Sequence, residues 1–204
     1  MPNLGIASIG ANLDERHAVY LVDLVRRRRR VRRYLTGVLQ KHRPHVVGLS
    51  SMTWQYATCL KLARLVRHLL PETRIVLGGY HATLMYEEIG ASPEAADIDY
   101  LIRGEGETAF NALVTALESG GSLEQIPSLS HRIGNGFVHN PQGELQDLSR
   151  LKRPIRDKRR LTWGYHIMNH HCEVMETSRG CNRNCNFCSI RHMYGRAFRA
   201  FPTA

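Results

Sequence analysis

Four short apolar runs, alternating with helical stripes, constrain this chain more than any other feature. Val19–Leu24, His45–Leu49, Arg74–Leu77 and Asp99–Ile102 are almost continuously apolar, as strands covered on both faces are. Leu62, Leu65, Val66 and Leu69 recur at i, i+3, i+4 and i+7, and so do Phe110, Leu113, Val114 and Leu117. Val31, Leu35, Val38 and Leu39 form a comparable stripe. Strands alternating with amphipathic helices predict a doubly wound α/β fold, with a predominantly parallel sheet over residues 19–120 and helices on both faces.

Three of these runs end in small or polar clusters. The first is Ser50, Ser51, Met52 and Thr53. The second is Gly78, Gly79, Tyr80, His81, Ala82 and Thr83. The third is Gly104, Glu105, Gly106 and Glu107. Ligands of open α/β sheets bind outside the carboxyl ends of the strands, so the three clusters are expected on one ligand-facing edge. Glycines there would let a bulky ligand approach the backbone.

Further along, Leu129–Ile133 and Phe137–His139 flank a glycine-containing turn and read as a hairpin. Residues 141–164, with the basic stretch 151–160, read as a linker. The expected organisation is an α/β domain over 1–140, the linker, and a second domain from 165 to 204.

That second segment holds Cys181, Cys185 and Cys188, spaced C-x3-C-x2-C. Cubane iron–sulfur clusters are usually held by four thiolates. Three would leave one iron with an open coordination position, where a cosubstrate can bind. On spacing alone, a zinc site completed by a histidine such as His192 also stays open, as does a four-cysteine ferredoxin site. Cys59 and Cys172 read as a buried helix thiol and a strand thiol rather than ligands.

The triplet, with Phe187 before its last cysteine and Thr177-Ser178-Arg179-Gly180 leading into it, resembles the signature loop of radical S-adenosylmethionine enzymes. Gly48-Leu49-Ser50-Ser51, Gly78–Thr83 and Arg103–Thr108 resemble the cobalamin-binding domain found ahead of many such barrels. The resemblance covers roughly residues 4–200. It implies that Cys181, Cys185 and Cys188 hold a 4Fe-4S cluster whose open iron binds S-adenosylmethionine. It also implies that 172–180 is the first barrel strand and that the three loops face cobalamin. Arg179, Asn182, Arg183 and Asn184 would tune the cluster. The Asp-x-His-x-x-Gly motif of other cobalamin proteins is absent, which argues against histidine ligation of that type and leaves the role of His81 open.

The family's usual first strand before Leu4–Glu15 is missing, and the chain ends sixteen residues after Cys188. A truncated member, inactive by itself, is the expectation. The parent enzyme would be a C-methyltransferase or an oxidative cyclase, acting on a small molecule and reduced by a donor such as flavodoxin or ferredoxin. A non-catalytic cobalamin- or metal-binding module is the alternative.

Nucleic-acid modification or binding is a third reading, prompted by a net charge of +10 and by seven arginines at Arg26–Arg30, Arg32 and Arg33. That run lacks interleaved aromatics and a readable motif, so a solvated connection is the simpler account. No run of eighteen apolar residues suggests a membrane span. The N-terminus lacks secretory features, and an odd cysteine count with a tight triplet suits a reducing cytoplasm.

Overall fold

The computed structural model describes residues 3–27, 29–156 and 165–202. Contacts divide the chain into two compact units, Arg27–Glu144 and Met1–Arg26 with Leu145–Ala204. Of the expected linker at 141–164, residues 157–164 lie outside the described residues, as does Arg28 of the arginine run.

The chain opens with helix α1 (Leu4–Ala11), capped by the Asn3 side chain, which accepts from the Ile6 amide at 3.2 Å. Val19–Leu24 does not form the expected strand. Only Leu21 makes an isolated bridge, and a single 3-10 turn covers Leu24–Arg27. A strand needs a neighbour to pair its N–H and C=O groups. Among the described residues no ladder joins this run to a sheet; its apolar side chains Val19 and Leu21 lie instead beside Gly10 of α1.

The Arg27–Glu144 unit is an α/β layer. Helix α2 (Val31–His42) buries Leu35, Val38 and Leu39 and leads into strand β1 (Val46–Ser50). Helix α3 (Tyr56–Leu69) follows, then strand β2 (Arg74–Gly78), short helices α4 (Tyr80–Leu84) and α5 (Tyr86–Ala91), and strand β3 (Tyr100–Ile102). Helix α6 (Gly106–Ser119) leads to the hairpin of β4 (Leu129–Ile133) and β5 (Gly136–His139). The sheet order is β1-β2-β3-β4-β5. β1, β2 and β3 are parallel, with Ser50 opposite Gly78 and Leu77 opposite Leu101. The hairpin anticipated as a separate feature joins this sheet: β4 pairs antiparallel with β3, and β5 with β4.

Alternation along the strands supplies both layers. Val76, Tyr100 and Ile102 face α6, where Ala109, Leu113 and Ala116 close a core with Ile126 and Leu129. Ile75, Leu77 and Leu101 are fully buried on the opposite face, with α3 against β1 and α4 against β2 and β3.

Two arginines brace the sheet. At its amino-terminal edge the Asp99 carboxylate accepts from the Ile75 amide and from Arg67, both at 2.7 Å. Arg67 also donates to the Pro71, Thr73 and Asp97 carbonyls. At the other end of β3, buried Arg103 donates to the Ser128 and Asn140 carbonyls and stacks over Tyr86, 4.6 Å from its ring centre. Its own amide donates to Ser128 O at 3.1 Å.

In the other unit, β6 (His166–Ile167) and β7 (His170–His171) form a hairpin. β8 (Ser178–Gly180) pairs antiparallel with β9 (Phe198–Ala200), and α7 (Ile190–Tyr194) lies between those two in sequence. The barrel strand expected over 172–180 is limited to Ser178–Gly180. Cys172–Thr177 is irregular: β7 stops at His171 and β9 pairs with β8, and past each ladder a single backbone hydrogen bond, at Cys172 and at Thr177, carries on without forming a strand. Cys172 is therefore not a strand thiol; it is half-buried on irregular backbone. Among the described residues, no helix is long and apolar enough to cross a membrane.

Candidate functional site

Parallel pairing of β1, β2 and β3 puts their carboxyl ends on one edge of the sheet. All three predicted loops therefore share that edge, and backbone hydrogen bonds tie them together. The Ser51 amide donates to Gly78 O, and the His81 amide donates to Ser51 O, each at 3.1 Å. The Thr83 hydroxyl donates to Gly79 O at 2.9 Å and accepts from the Gly104 amide at 2.8 Å. Thr83 thus joins the second loop to the third, as Ser51 joins the first to the second.

Gly79 makes this closeness possible. Its φ is +89° with ψ −171°, a region essentially reserved for glycine. A Cβ built there would lie 2.9 Å from both Ser50 Oγ and Ser51 O, and 3.0 Å from Ser51 N. No side chain fits between these strand ends.

The first loop is pinned locally. Met52 N donates to the Gln55 side chain, and Gln55 N donates to Met52 O, each at 2.9 Å. This holds a 3-10 turn at Thr53–Gln55 and leaves Trp54 77% exposed at the loop. In the third loop Glu105 precedes α6, whose first turn includes Gly106 and the buried Glu107. An acid there complements the positive end of the helix.

His81 is buried. Its ring packs on Tyr56 with centroids 4.1 Å apart, and its Nδ1 lies 3.4 Å from the Thr53 hydroxyl. Burial pulls its pKa below the ordinary histidine value, partly opposed by Glu88. The imidazole is a packing element between the first two loops. Ser51 is also buried, and its Oγ has no hydrogen bond of ordinary geometry. It neighbours Cys59, whose thiol is pushed up by burial and pulled back by that hydroxyl. Cys59 is the buried helix thiol expected from the sequence.

Sequence reasoning missed Gln55 and Tyr56. Gln55 stands three residues after Met52, the spacing of a reciprocal N-terminal cap, and could have been found. Tyr56 carried no such signal, because only the fold brings it to His81.

The cysteine triplet follows β8. Cys181 and Cys188 are half-buried, Cys185 is exposed, and all three are free thiols. The Cys188 amide donates to Cys185 O at 3.1 Å, and Cys181 Sγ accepts from the Arg183 amide at 3.4 Å. The three Sγ atoms do not converge as expected: among the described residues no three His, Cys, Asp or Glu side chains form a metal-holding group. Metal binding supplies the free energy that gathers such ligands, and bare thiols have no attraction to replace it. The donor set itself, three thiols on one short and accessible loop, fits an iron–sulfur cluster. Arg179 is buried rather than solvated. It donates to Glu176 at 2.9 Å, approaches the Ser8 hydroxyl and lies over the Phe201 ring.

Of the arginine run, Arg29, Arg30, Arg32 and Arg33 are exposed around a shallow open depression of about 440 Å³, as solvated side chains would be.

The B12 binding domain family matches residues 1–114. The chain belongs to the radical S-adenosylmethionine family that carries a B12-binding domain. An uncharacterised methyltransferase of Pyrococcus horikoshii is 30% identical over 97% of this chain and 42% of its own length. An anaerobic magnesium-protoporphyrin IX monomethyl ester cyclase of Synechocystis is 28% identical over 96% of this chain and 39% of its own. The solved radical S-adenosylmethionine methyltransferase TsrM of Kitasatospora setae, with cobalamin and a [4Fe-4S] cluster bound, superposes with a TM-score of 0.71 at 18% identity, over 97% of this chain and 40% of its own. That similarity shows the fold, and the α/β cobalamin-binding-like class expected from the sequence is the one observed. The chain spans about two fifths of the length of these relatives.

Proposed function

We propose that this chain carries the cobalamin-binding part and the cluster-binding segment of an enzyme that modifies a small molecule, by C-methylation or by oxidative cyclisation. Residues 1–140 would bind cobalamin, and 165–204 would open the radical S-adenosylmethionine domain. The observation that carries the reading is the sheet edge on which Ser51, Gly79 and Thr83 tie three loops together.

Cobalamin fits this edge. Gly78, Gly79, Gly104 and Gly106 keep side chains away from the backbone there. Ser50, Met52 and Thr53 offer polar and apolar contacts, and the buried Ser51 hydroxyl has no hydrogen bond of ordinary geometry within the protein. Tyr80, His81, Ala82 and Thr83 would support the second loop, with His81 packing rather than ligating cobalt. Cys181, Cys185 and Cys188 would hold the 4Fe-4S cluster. Bound cobalamin and the cluster would supply, respectively, a carrier for an alkyl group and an electron for S-adenosylmethionine cleavage. The chain's own residues bind, orient and shield these groups. A donor such as flavodoxin or ferredoxin would reduce the cluster.

The two sites are tested separately. Hydroxocobalamin titration should give one bound equivalent, retained on desalting and lost in Gly79→Ala. Anaerobic reconstitution with iron and sulfide should give iron–sulfur absorption that depends on the three cysteines. Failure to retain cobalamin would remove the first half of the reading. Retention of cobalamin without any cluster would favour the non-catalytic module.

A further inference from the structure

We infer that the β6–β7 hairpin carries a metal site that does not use the cysteine loop: a two-histidine chelate, made by His166 and His171, for a borderline divalent ion such as Ni²⁺, Cu²⁺ or Zn²⁺.

The local backbone fixes the pair. Met168 and Asn169 both have positive φ, +50° and +65°, as in the two-residue type I′ turn that matches strand twist. This turn sets the register, with Ile167 opposite His170 and His166 opposite His171. The next rung is closed by the Cys172 amide donating to Tyr165 O at 2.9 Å. Hydrogen-bonded and non-hydrogen-bonded pairs alternate in an antiparallel ladder. The His166–His171 pair is therefore the non-hydrogen-bonded rung, where opposed side chains come closest. The root of the hairpin is anchored: Tyr165 is buried, and its hydroxyl donates to Asp23 at 3.0 Å.

The side chains suit a chelate. Both histidines are exposed, and their ring centroids lie 5.9 Å apart with planes at 89°. Metal–imidazole bonds of about 2.0–2.1 Å would place two ring centres on one ion roughly 5 Å apart. Closing that difference needs only side-chain rotation, with the backbone unmoved. Imidazole nitrogen is a good donor for zinc, copper and nickel, and water would complete the coordination. His170 projects from the other face of the hairpin because successive side chains alternate. It is a built-in control: same hairpin, same residue type, wrong face.

The test is isothermal titration with NiCl₂ of the full chain carrying Cys181→Ser, Cys185→Ser and Cys188→Ser, which removes competing thiolates. One Ni²⁺ should bind, with affinity falling about tenfold or more in His166→Gln and in His171→Gln and staying unchanged in His170→Gln. A second measurement needs no histidine variant: Ni²⁺ should protect His166 and His171, but not His170, from diethyl pyrocarbonate, read by peptide mass spectrometry. Equal losses in all three variants, unchanged affinity in His166→Gln and His171→Gln, or protection confined to other histidines would each overturn the site.

Discussion

Gly79→Ala should destabilise the protein far more than its single methyl group suggests. Two costs add. The backbone at φ +89° and ψ −171° lies in a region that side-chain-bearing residues reach only at about 1–3 kcal/mol. The new Cβ would also meet Ser51 O at 2.9 Å and Ser51 N at 3.0 Å. Those backbone atoms cannot step aside freely, because the amide donates to Gly78 and the carbonyl accepts from His81. Relieving such overpacking costs about 1–3 kcal/mol more, for a total of roughly 2–6 kcal/mol. Gly120→Ala is the comparison. Gly120 also has a positive φ, +68°, but an added Cβ meets nothing within 4 Å. Its cost should be about 1 kcal/mol, the left-handed penalty less the gain from stiffening the unfolded chain. Urea unfolding followed by circular dichroism reads both. If Gly79→Ala cost no more than Gly120→Ala, the close approach of the two strand ends would be wrong, and the account of the loop edge with it.

The brace, His81 and His139, and the cysteines supply further tests. Arg67→Met should cost about 2–3 kcal/mol in urea unfolding, because it strips hydrogen bonds from the half-buried Asp99 carboxylate and three carbonyls. Arg64→Met, which loses an exposed 3.8 Å pairing with Asp97, should cost less than about 1 kcal/mol, and similar losses in both would discredit the brace. His81 and His139 are each held below the ordinary histidine pKa. His81 is shifted by burial against the pull of Glu88, His139 by burial and then Arg103 against the pull of Glu87. The unfolded chain therefore takes up protons first, so their contribution is complete above about pH 6.5 and is lost as pH falls below it. The urea midpoint should drop between about pH 7 and pH 5, and His81→Gln with His139→Gln should flatten that drop; an unaltered slope in the double variant counts against it. Cys181→Ala, Cys185→Ala or Cys188→Ala should sharply reduce iron incorporation on anaerobic reconstitution, while Cys59→Ala and Cys172→Ala leave it nearly unchanged. Uniform losses across all five would indicate non-specific iron.

The parallel core was legible because β1, β2 and β3 are short and largely apolar and run into serine or glycine at Ser50, Gly78 and, two residues past β3, Gly104. Both signals are local, and both follow from burial on two faces. Val19–Leu24 carries the same apolar signal yet forms no strand, because strand formation depends on a neighbour that composition does not reveal. The hairpin at 129–139 was legible by its turn. Its attachment to β3 was not, since that rests on Arg103 and on Arg132, which donates to the Ala95 and Ile98 carbonyls. The loop edge followed from topology, whereas its stitching through Ser51 and Thr83 is a matter of ångströms. For the cysteines, spacing displayed the donor set, but convergence belongs to an ion that the chain's own contacts do not replace.

Arg103 gives the hairpin a mechanical meaning. The residue directly before Gly104 is clamped from outside by the Ser128 and Asn140 carbonyls, and Asn140 is itself tied to Leu123 and Ile126. The third loop of the edge thus hangs from the β4–β5 strand pair. Opening of β4–β5 would release Arg103, whose amide donates to Ser128 O, so amide exchange at Arg103 should keep time with the hairpin rather than with α6. The far side of the sheet would then act as a tension member for the near one, setting how stiffly the cradle is held before anything enters it.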